Sequence, residues 1–147
     1  MSPSRTRVAN EAWEALFRAQ STVMRELTAA DVWEGVSPSE YDVLYTLSKA
    51  PDGLRITELT RDMLLTQGGV SRLVARLEAT GLLERVADPA DGRASRIRLT
   101  EAGASAQRRV GLRHGTHVAQ LMTSTFSVEQ LEQLRTLCET LTESTRT

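Results

Sequence analysis

The sequence predicts a mainly α-helical chain with a small two-stranded β wing, a winged helix-turn-helix with flanking dimerisation helices. Three observations carry that expectation. Long stretches place apolar residues at helical spacing, as in Ala9, Trp13, Leu16, Phe17, Val23, Met24 and Leu27. Between Thr66 and Thr80 a polar-started, arginine-bearing segment leads at once into two short β-type runs around a polar turn. Aromatic residues make up only 4% of the chain, so the core must be built from Leu, Val and Ala, which suits helices packed on helices.

The elements follow in order. The first helix is expected from about Thr6 to Ala30, with Gly35 and Val36 beyond its end. Ser37-Pro38-Ser39-Glu40 is a capping box with proline at the first helical position, and it opens a second helix marked by Tyr41, Leu44, Tyr45 and Leu47. Pro51-Asp52-Gly53 stops that helix as a turn. Thr57 is the expected N-cap of a short third helix to about Met63, and Thr66 that of a fourth. Val70, Leu73, Val74 and Leu77 anchor the fourth helix inward, and Gly81 ends it in the position just past the cap. Leu82 to Ala87 and Ser95 to Leu99 are the two strands. Thr100 caps a fifth helix to about Met122, and the Ser127-Val128-Glu129-Gln130 capping box opens a sixth to about Glu143.

At 147 residues the chain fits one domain, able to bury about two-thirds of its unfolded surface. Charged residues make up 25% and hydrophobic residues 40%, as in an ordinary folded protein. No apolar run approaches the roughly 20 residues of a membrane span. Arg5 and Arg7 are followed by no apolar run of a secretory signal, so no membrane partner is expected. The single cysteine, Cys138, excludes an internal disulfide framework and points to a reducing, cytoplasmic setting.

The net charge is −1, but its distribution is uneven. From Arg55 to Arg98 eight arginines face six acidic residues (Glu58, Asp62, Glu78, Glu84, Asp88 and Asp91), a local excess of +2 against −3 elsewhere. Within that stretch, Gln67, Ser71, Arg72, Ala75 and Arg76 lie off the apolar face of the fourth helix. Gln matches adenine, Arg matches guanine, and Ser pairs with either a base edge or a phosphate. Gly68 and Gly69 leave the helix N-terminus open to a phosphate. Arg93 stands at the wing tip, where it is able to enter a minor groove, and Asp91 is placed to pair with Arg72 or Arg93 and fix the finger. Double-stranded DNA is therefore the expected partner, with Thr66, Gln67, Gly68, Ser71, Arg72, Arg76, Asp91, Arg93 and Arg96 as its contacts.

These residues resemble the MarR family of bacterial transcription regulators. The resemblance runs over nearly the whole chain and is strongest from Ile56 to Gly103. It includes Leu-Glu-x-x-Gly-Leu-Leu-x-Arg (Leu77 to Arg85), Asp91-Gly92-Arg93 and Leu99-Thr100-Glu101-Ala102-Gly103. It implies a triangular homodimer in which the first, fifth and sixth helices of two subunits intertwine. Residues 1–36 and 101–147 then form the dimerisation region, and residues 37–100 the DNA-binding lobe. It also implies a regulator, usually a repressor, of a pseudopalindromic operator. The family's usual wing reads Asp-Arg-Arg; here Gly92 replaces the middle arginine and one phosphate contact is missing.

Val128, Leu131, Leu134, Cys138 and Leu141 form one apolar stripe on the last helix, with Leu137 beside it, and a stripe of that kind calls for a partner copy. Cys138 on the stripe is expected to pack as a small apolar residue. Peroxide-sensing relatives carry a reactive cysteine in the first helix, and this chain has none there. His114 and His117 are three apart and are the only histidines, too few ligands for a metal, so a solvated pair is expected. Trp13, Phe17, Tyr41 and Tyr45 hold four of the six aromatic side chains near the junction of the first two helices. The resemblance implies a small aromatic or phenolic effector there; a pocket of that kind needs a few polar groups, and Arg18, Arg25 or Arg109 is able to supply a carboxylate partner. No cofactor is called for. An enzyme is disfavoured: Gly-x-Ser-x-Gly, His-Glu-x-x-His and a phosphate loop are all absent from the sequence. A protein-binding winged module without an operator would present an apolar lobe, which the arginine-bearing helix contradicts.

Overall fold

In a computed structural model, which describes residues 2–146 apart from 62 and 64, the chain folds as six helices and one hairpin. Asp62, counted above with the acidic residues, lies outside the described residues. The order is α1 (Arg5–Ala29), α2 (Pro38–Ser48), α3 (Ile56–Arg61), α4 (Gln67–Ala79), β1 (Leu83–Ala87), β2 (Ser95–Leu99), α5 (Glu101–Thr125) and α6 (Val128–Thr145).

Local chemistry sets most of the boundaries. Ser37 accepts the Glu40 N–H while the Glu40 carboxylate takes the Ser37 N–H, so the capping box closes both ways, and Ser127 with Gln130 repeats it on α6. Thr66 and Thr100 cap α4 and α5 by accepting from Gly69 and Gly103. Gly81 adopts φ +80°, the left-handed form that ends a helix. Thr57 is not a cap. The third helix starts two residues earlier, because Glu58 reaches back to the Arg55 N–H at 3.1 Å and Arg55 takes the capping position. Helix α1 begins at Arg5 on a Ser4 cap, one residue before the expected start.

The core lies in the lobe built by α2, α3, α4 and the hairpin. Val43, Leu44, Leu47, Leu59, Val70, Val74, Leu77 and Ile97 are essentially closed to solvent. At about 1.5–3 kcal/mol for each fully buried large aliphatic, that cluster is the main stabilising term of the lobe. The strands pair antiparallel with Arg85 opposite Ile97, and Leu54 adds a bridge to Ile97 from the loop before α3. Gly53 makes that approach possible: its φ is +88°, and a Cβ there would stand 2.8 Å from the Ile97 carbonyl oxygen.

The flanking helices behave differently. Helix α6 has no buried residue, and α1 buries only Leu27. Trp13, Phe17, Val128, Leu137 and Leu141 all lie exposed on the protomer. Cys138 is partly exposed on the protomer. No helix of the described residues is long and apolar enough to cross a membrane.

Candidate nucleic-acid interface and adjoining cleft

Helix α4 turns its apolar stripe into the core and leaves its polar face outward. Gln67, Gly68, Arg72 and Arg76 are exposed and Ser71 is half-buried. Side chains on a helix lean toward its N-terminus, and Arg72 follows that rule. A Cβ built on Gly68 would stand 3.7 Å from Arg72 Nη1, and one on Gly69 3.9 Å from Nη2. The guanidinium therefore lies back along the first turn of α4, beside the positive end of the helix dipole. Bare glycines leave space around it. One of the N–H groups that the sequence offered to a phosphate is already spent, since Gly69 donates to Thr66 at 3.1 Å. Arg76, further along, comes within 3.7 Å of the buried Glu40 and ties α4 to the cap of α2.

The wing is braced by a cluster that the sequence reading missed. Asp88, 3% exposed, accepts from Arg55 Nε at 2.7 Å and from Arg96 Nε at 3.2 Å. Its other oxygen takes the Ala90 N–H at 2.8 Å, closing a turn at the base of the wing loop. The expected pairing of the Asp91 side chain with Arg72 or Arg93 is not formed. Asp91 instead accepts the main-chain N–H of Arg93 at 3.1 Å and shapes the tip through the backbone. Arg96 was expected at the DNA and is committed to Asp88, whereas Arg93 and Gly92 stand exposed at the tip. Lower down, Glu84 and Arg98 pair across the strands at 2.7 Å.

The Arg55 guanidinium, then the Ala90 N–H, hold the Asp88 carboxyl well below the usual carboxylate range. A depressed acid favours the fold in its ionised form. Its contribution is therefore complete above the ordinary value near 3.9 and is lost as pH falls below it toward the folded value. Asp88→Asn is expected to lower the melting temperature at pH 7. That deficit should shrink as thermal scans move below about pH 4. A deficit unchanged between pH 7 and pH 3 would show that the Asp88 charge does not brace the wing.

Behind the lobe, α1, α2 and α5 enclose an open cleft of about 730 Å³, with Met63 and Leu65 closing one side. Tyr41 and Tyr45 line it as the sequence suggested, but Trp13 and Phe17 do not. That pair sits 6.3 Å apart on the exposed face of α1. Their place is taken by Trp33, whose Nε1 donates to the Leu27 carbonyl at 3.1 Å and fixes the ring beyond the end of α1. His114 is not solvated as expected. Its ring lies 4.8 Å from that of Trp33 and 5.4 Å from that of Tyr41, and burial, then His117, lowers its pKa. None of the arginines proposed as a carboxylate partner lines the cleft: Arg18 pairs with Glu14, and Arg109 approaches Glu34. Among the described residues no group of three or more histidine, cysteine or acidic side chains is placed to hold a metal.

Trp33 and His114 were legible only in part. His114 stands at an ordinary position within α5 and Trp33 in the link between α1 and α2, and contacts across some 80 residues of chain decide which aromatics meet.

A family model described as MarR family matches residues 34–94, the stretch from the end of the α1–α2 link through the wing tip. By sequence alone the chain matches no curated protein. By structure it is similar to AbsC, a MarR family transcriptional regulator from Streptomyces coelicolor, at 22% identity and a TM-score of 0.80, covering 99% of this chain and 98% of that one. A mutant MarR from E. coli, complexed with operator DNA, superposes at a TM-score of 0.77 and 19% identity over 95% of this chain and 99% of the other. The PcaV transcriptional regulator from Streptomyces coelicolor, in complex with its natural ligand, gives 0.69 and 23%, covering 99% of each.

Proposed function

From the match of a MarR family model to residues 34–94 and the likeness in fold to a transcriptional regulator of that family, we propose that this chain is a winged-helix regulator of the same family, binds a pseudopalindromic operator as a homodimer and acts as a repressor in the cytoplasm. The observation that carries the reading is the α4 N-terminus, where Gln67, Ser71 and the folded-back Arg72 share one outward turn in the same lobe as an arginine-tipped wing. Recognition helices of this kind present their N-terminal residues to base edges in the major groove.

In this reading residues 37–100 read DNA and residues 1–36 and 101–147 pair two copies. Gln67, Ser71 and Arg72 address bases, while Thr66 and Gly68 bring the helix start to a phosphate. Arg93 enters the neighbouring minor groove. Arg76 and Arg96 hold the frame through Glu40 and Asp88 and add charge at the rim, and Asp91 shapes the tip. Two lobes so placed would reach successive major grooves about 34–36 Å apart. The superposable E. coli protein bound to operator DNA supports the mode. The unburied faces of α1 and α6 support pairing.

A small-molecule effector in the cleft is part of the same proposal, supported by the ligand complex of the superposable PcaV regulator and by the aromatic wall of Trp33, Tyr41 and Tyr45. Such a ligand releases DNA only to the extent that it binds the DNA-incompetent spacing of the lobes better than the competent one.

Fragments of the source genome selected by the protein would supply the operator. On that operator, binding should weaken linearly in log–log salt titration, with a slope of about 0.9 for each phosphate contact. Arg93→Ala is expected to weaken it by about 1–3 kcal/mol. Unchanged affinity in fluorescence anisotropy, with the dimer intact, would remove Arg93 from the interface.

A further inference from the structure

Among the described residues that line the cleft, Tyr41 alone is buried, at 8% exposure. Its ring is confined by three others, with centroids at 5.8 Å for Trp33, 5.4 Å for His114 and 6.2 Å for Tyr45. Held in this way, it sets its hydroxyl against α5 over Gly111, where a Cβ would stand 2.9 Å from the oxygen. Among the described residues nothing hydrogen-bonds to that hydroxyl, and unlike His114 Nδ1 the atom is not closed to solvent. Gln107, one turn earlier on α5, brings its amide nitrogen to 3.1 Å from the same Cβ position, and its amide has no partner among the described residues either. A side chain at 111 would fill the space beside these two groups; glycine leaves it open. A buried polar group without a partner costs stability, so the fold gains nothing from this hydroxyl. Phenylalanine would pack the same ring equally well.

We infer that the Tyr41 hydroxyl orients the ligand of this cleft, and that the ligand is a planar aromatic molecule bearing an oxygen acceptor, such as an aryl ketone. This rests on the reading of the cleft as an effector site and names the group that gives it specificity. A phenolic hydroxyl gives or takes a hydrogen bond, whereas an amide nitrogen only gives. Two donors beside one open space call for an acceptor. The ring of such a ligand lies against Trp33 and His114 in the offset or edge-on contacts that aromatic pairs favour, and its oxygen takes the Tyr41 O–H. An apolar wall with one well-placed polar group is how small-molecule pockets fix orientation.

Two probes of one shape test this, α-tetralone and tetralin, which differ by a carbonyl oxygen. The chain has two tryptophans, so an isotope-labelled sample of the full chain gives two indole N–H resonances in NMR spectra. Trp33 reports from the cleft wall, and Trp13, which does not line it, serves as the control. α-Tetralone is expected to bind about three- to tenfold more tightly than tetralin, the net worth of one hydrogen bond. Tyr41→Phe should remove most of that preference, leave tetralin binding unchanged and melt no lower than the parent. Equal binding of the two probes, or a preference that Tyr41→Phe does not move, would overturn the role of Tyr41 and leave the effector site standing. A Tyr41→Phe variant that melts lower would do the same, by showing that the hydroxyl serves the fold. If neither probe shifts the Trp33 resonance, the effector reading itself is overturned.

Discussion

Gly103→Ala is expected to destabilise the protein by about 2–4 kcal/mol, a large share of the roughly 5–15 kcal/mol that holds a domain of this size. Gly103 is the third residue of α5, and its N–H donates to the Thr100 cap at 3.0 Å. Thr100 in turn donates its N–H to the Leu82 carbonyl at 3.1 Å and its hydroxyl to the Gly81 carbonyl at 2.6 Å. The end of α4, the start of β1 and the start of α5 are thus pinned at one point. A Cβ on residue 103 would fall on the Leu82 carbonyl oxygen. That neighbour is backbone, held on both sides, and unlike a flexible side chain it has nowhere to swing. The alanine must therefore push α5 away from the base of the wing, at the cost of the cap and the Thr100–Leu82 hydrogen bond, each worth about 1 kcal/mol. Gly115, three turns along the same helix, has nothing within 4 Å of a Cβ. There Gly115→Ala should stabilise by up to about 1 kcal/mol, the helix-propensity difference alone. Chemical denaturation of both variants at one protein concentration reads the contrast. A Gly103→Ala variant as stable as the parent would mean that α5 does not approach the wing this closely.

The contrast between those two glycines shows what the sequence holds and what it withholds. Both sit at unremarkable helical positions, and only a carbonyl some 20 residues earlier in the chain distinguishes them. Signals that act within four residues were readable: the boxes at Ser37 and Ser127, the caps at Thr66 and Thr100, the left-handed Gly81 and the inward stripe of α4. Even there, residue type misleads: Thr57 suits a cap by its side chain, whereas the Glu58 carboxylate selects Arg55. Long-range pairings were not readable. Asp88 looked like one acid of a polar turn, and nothing local joins it to Arg55, 33 residues away. The aromatic residues illustrate a further ambiguity. Trp13, Phe17 and Tyr41 all follow helical apolar spacing, and spacing tells that a face is apolar without telling what covers it. Within the protomer Tyr41 is covered and the other two are not.

That uncovered face leads to the prediction with the largest effect on DNA binding. Leu134→Asp combined with Leu141→Asp is expected to give folded monomers whose affinity for a full operator falls by about 10²–10⁴-fold, while affinity for a half-site is unchanged. Helix α6 buries nothing within the protomer, and Val128 and Leu137 remain 71% and 69% exposed beside the substituted positions. The core of the winged lobe draws no residue from α6, so the substitutions should leave the lobe intact. In a dimer the same side chains would be covered by a partner, and an aspartate there would have to lose its hydration without a counter-charge. A stable pair buries on the order of 800 Å² on each copy, an area that α6 together with the exposed Trp13–Phe17 side of α1 is well placed to supply. Once the pair is broken, the second lobe no longer binds at the effective concentration set by the first, and the full site gains nothing over its half. Sedimentation equilibrium gives the assembly state and anisotropy on the two DNA lengths gives the affinities. Monomers that keep full operator affinity would refute the paired reader. A double variant that remains dimeric would move the interface off α6.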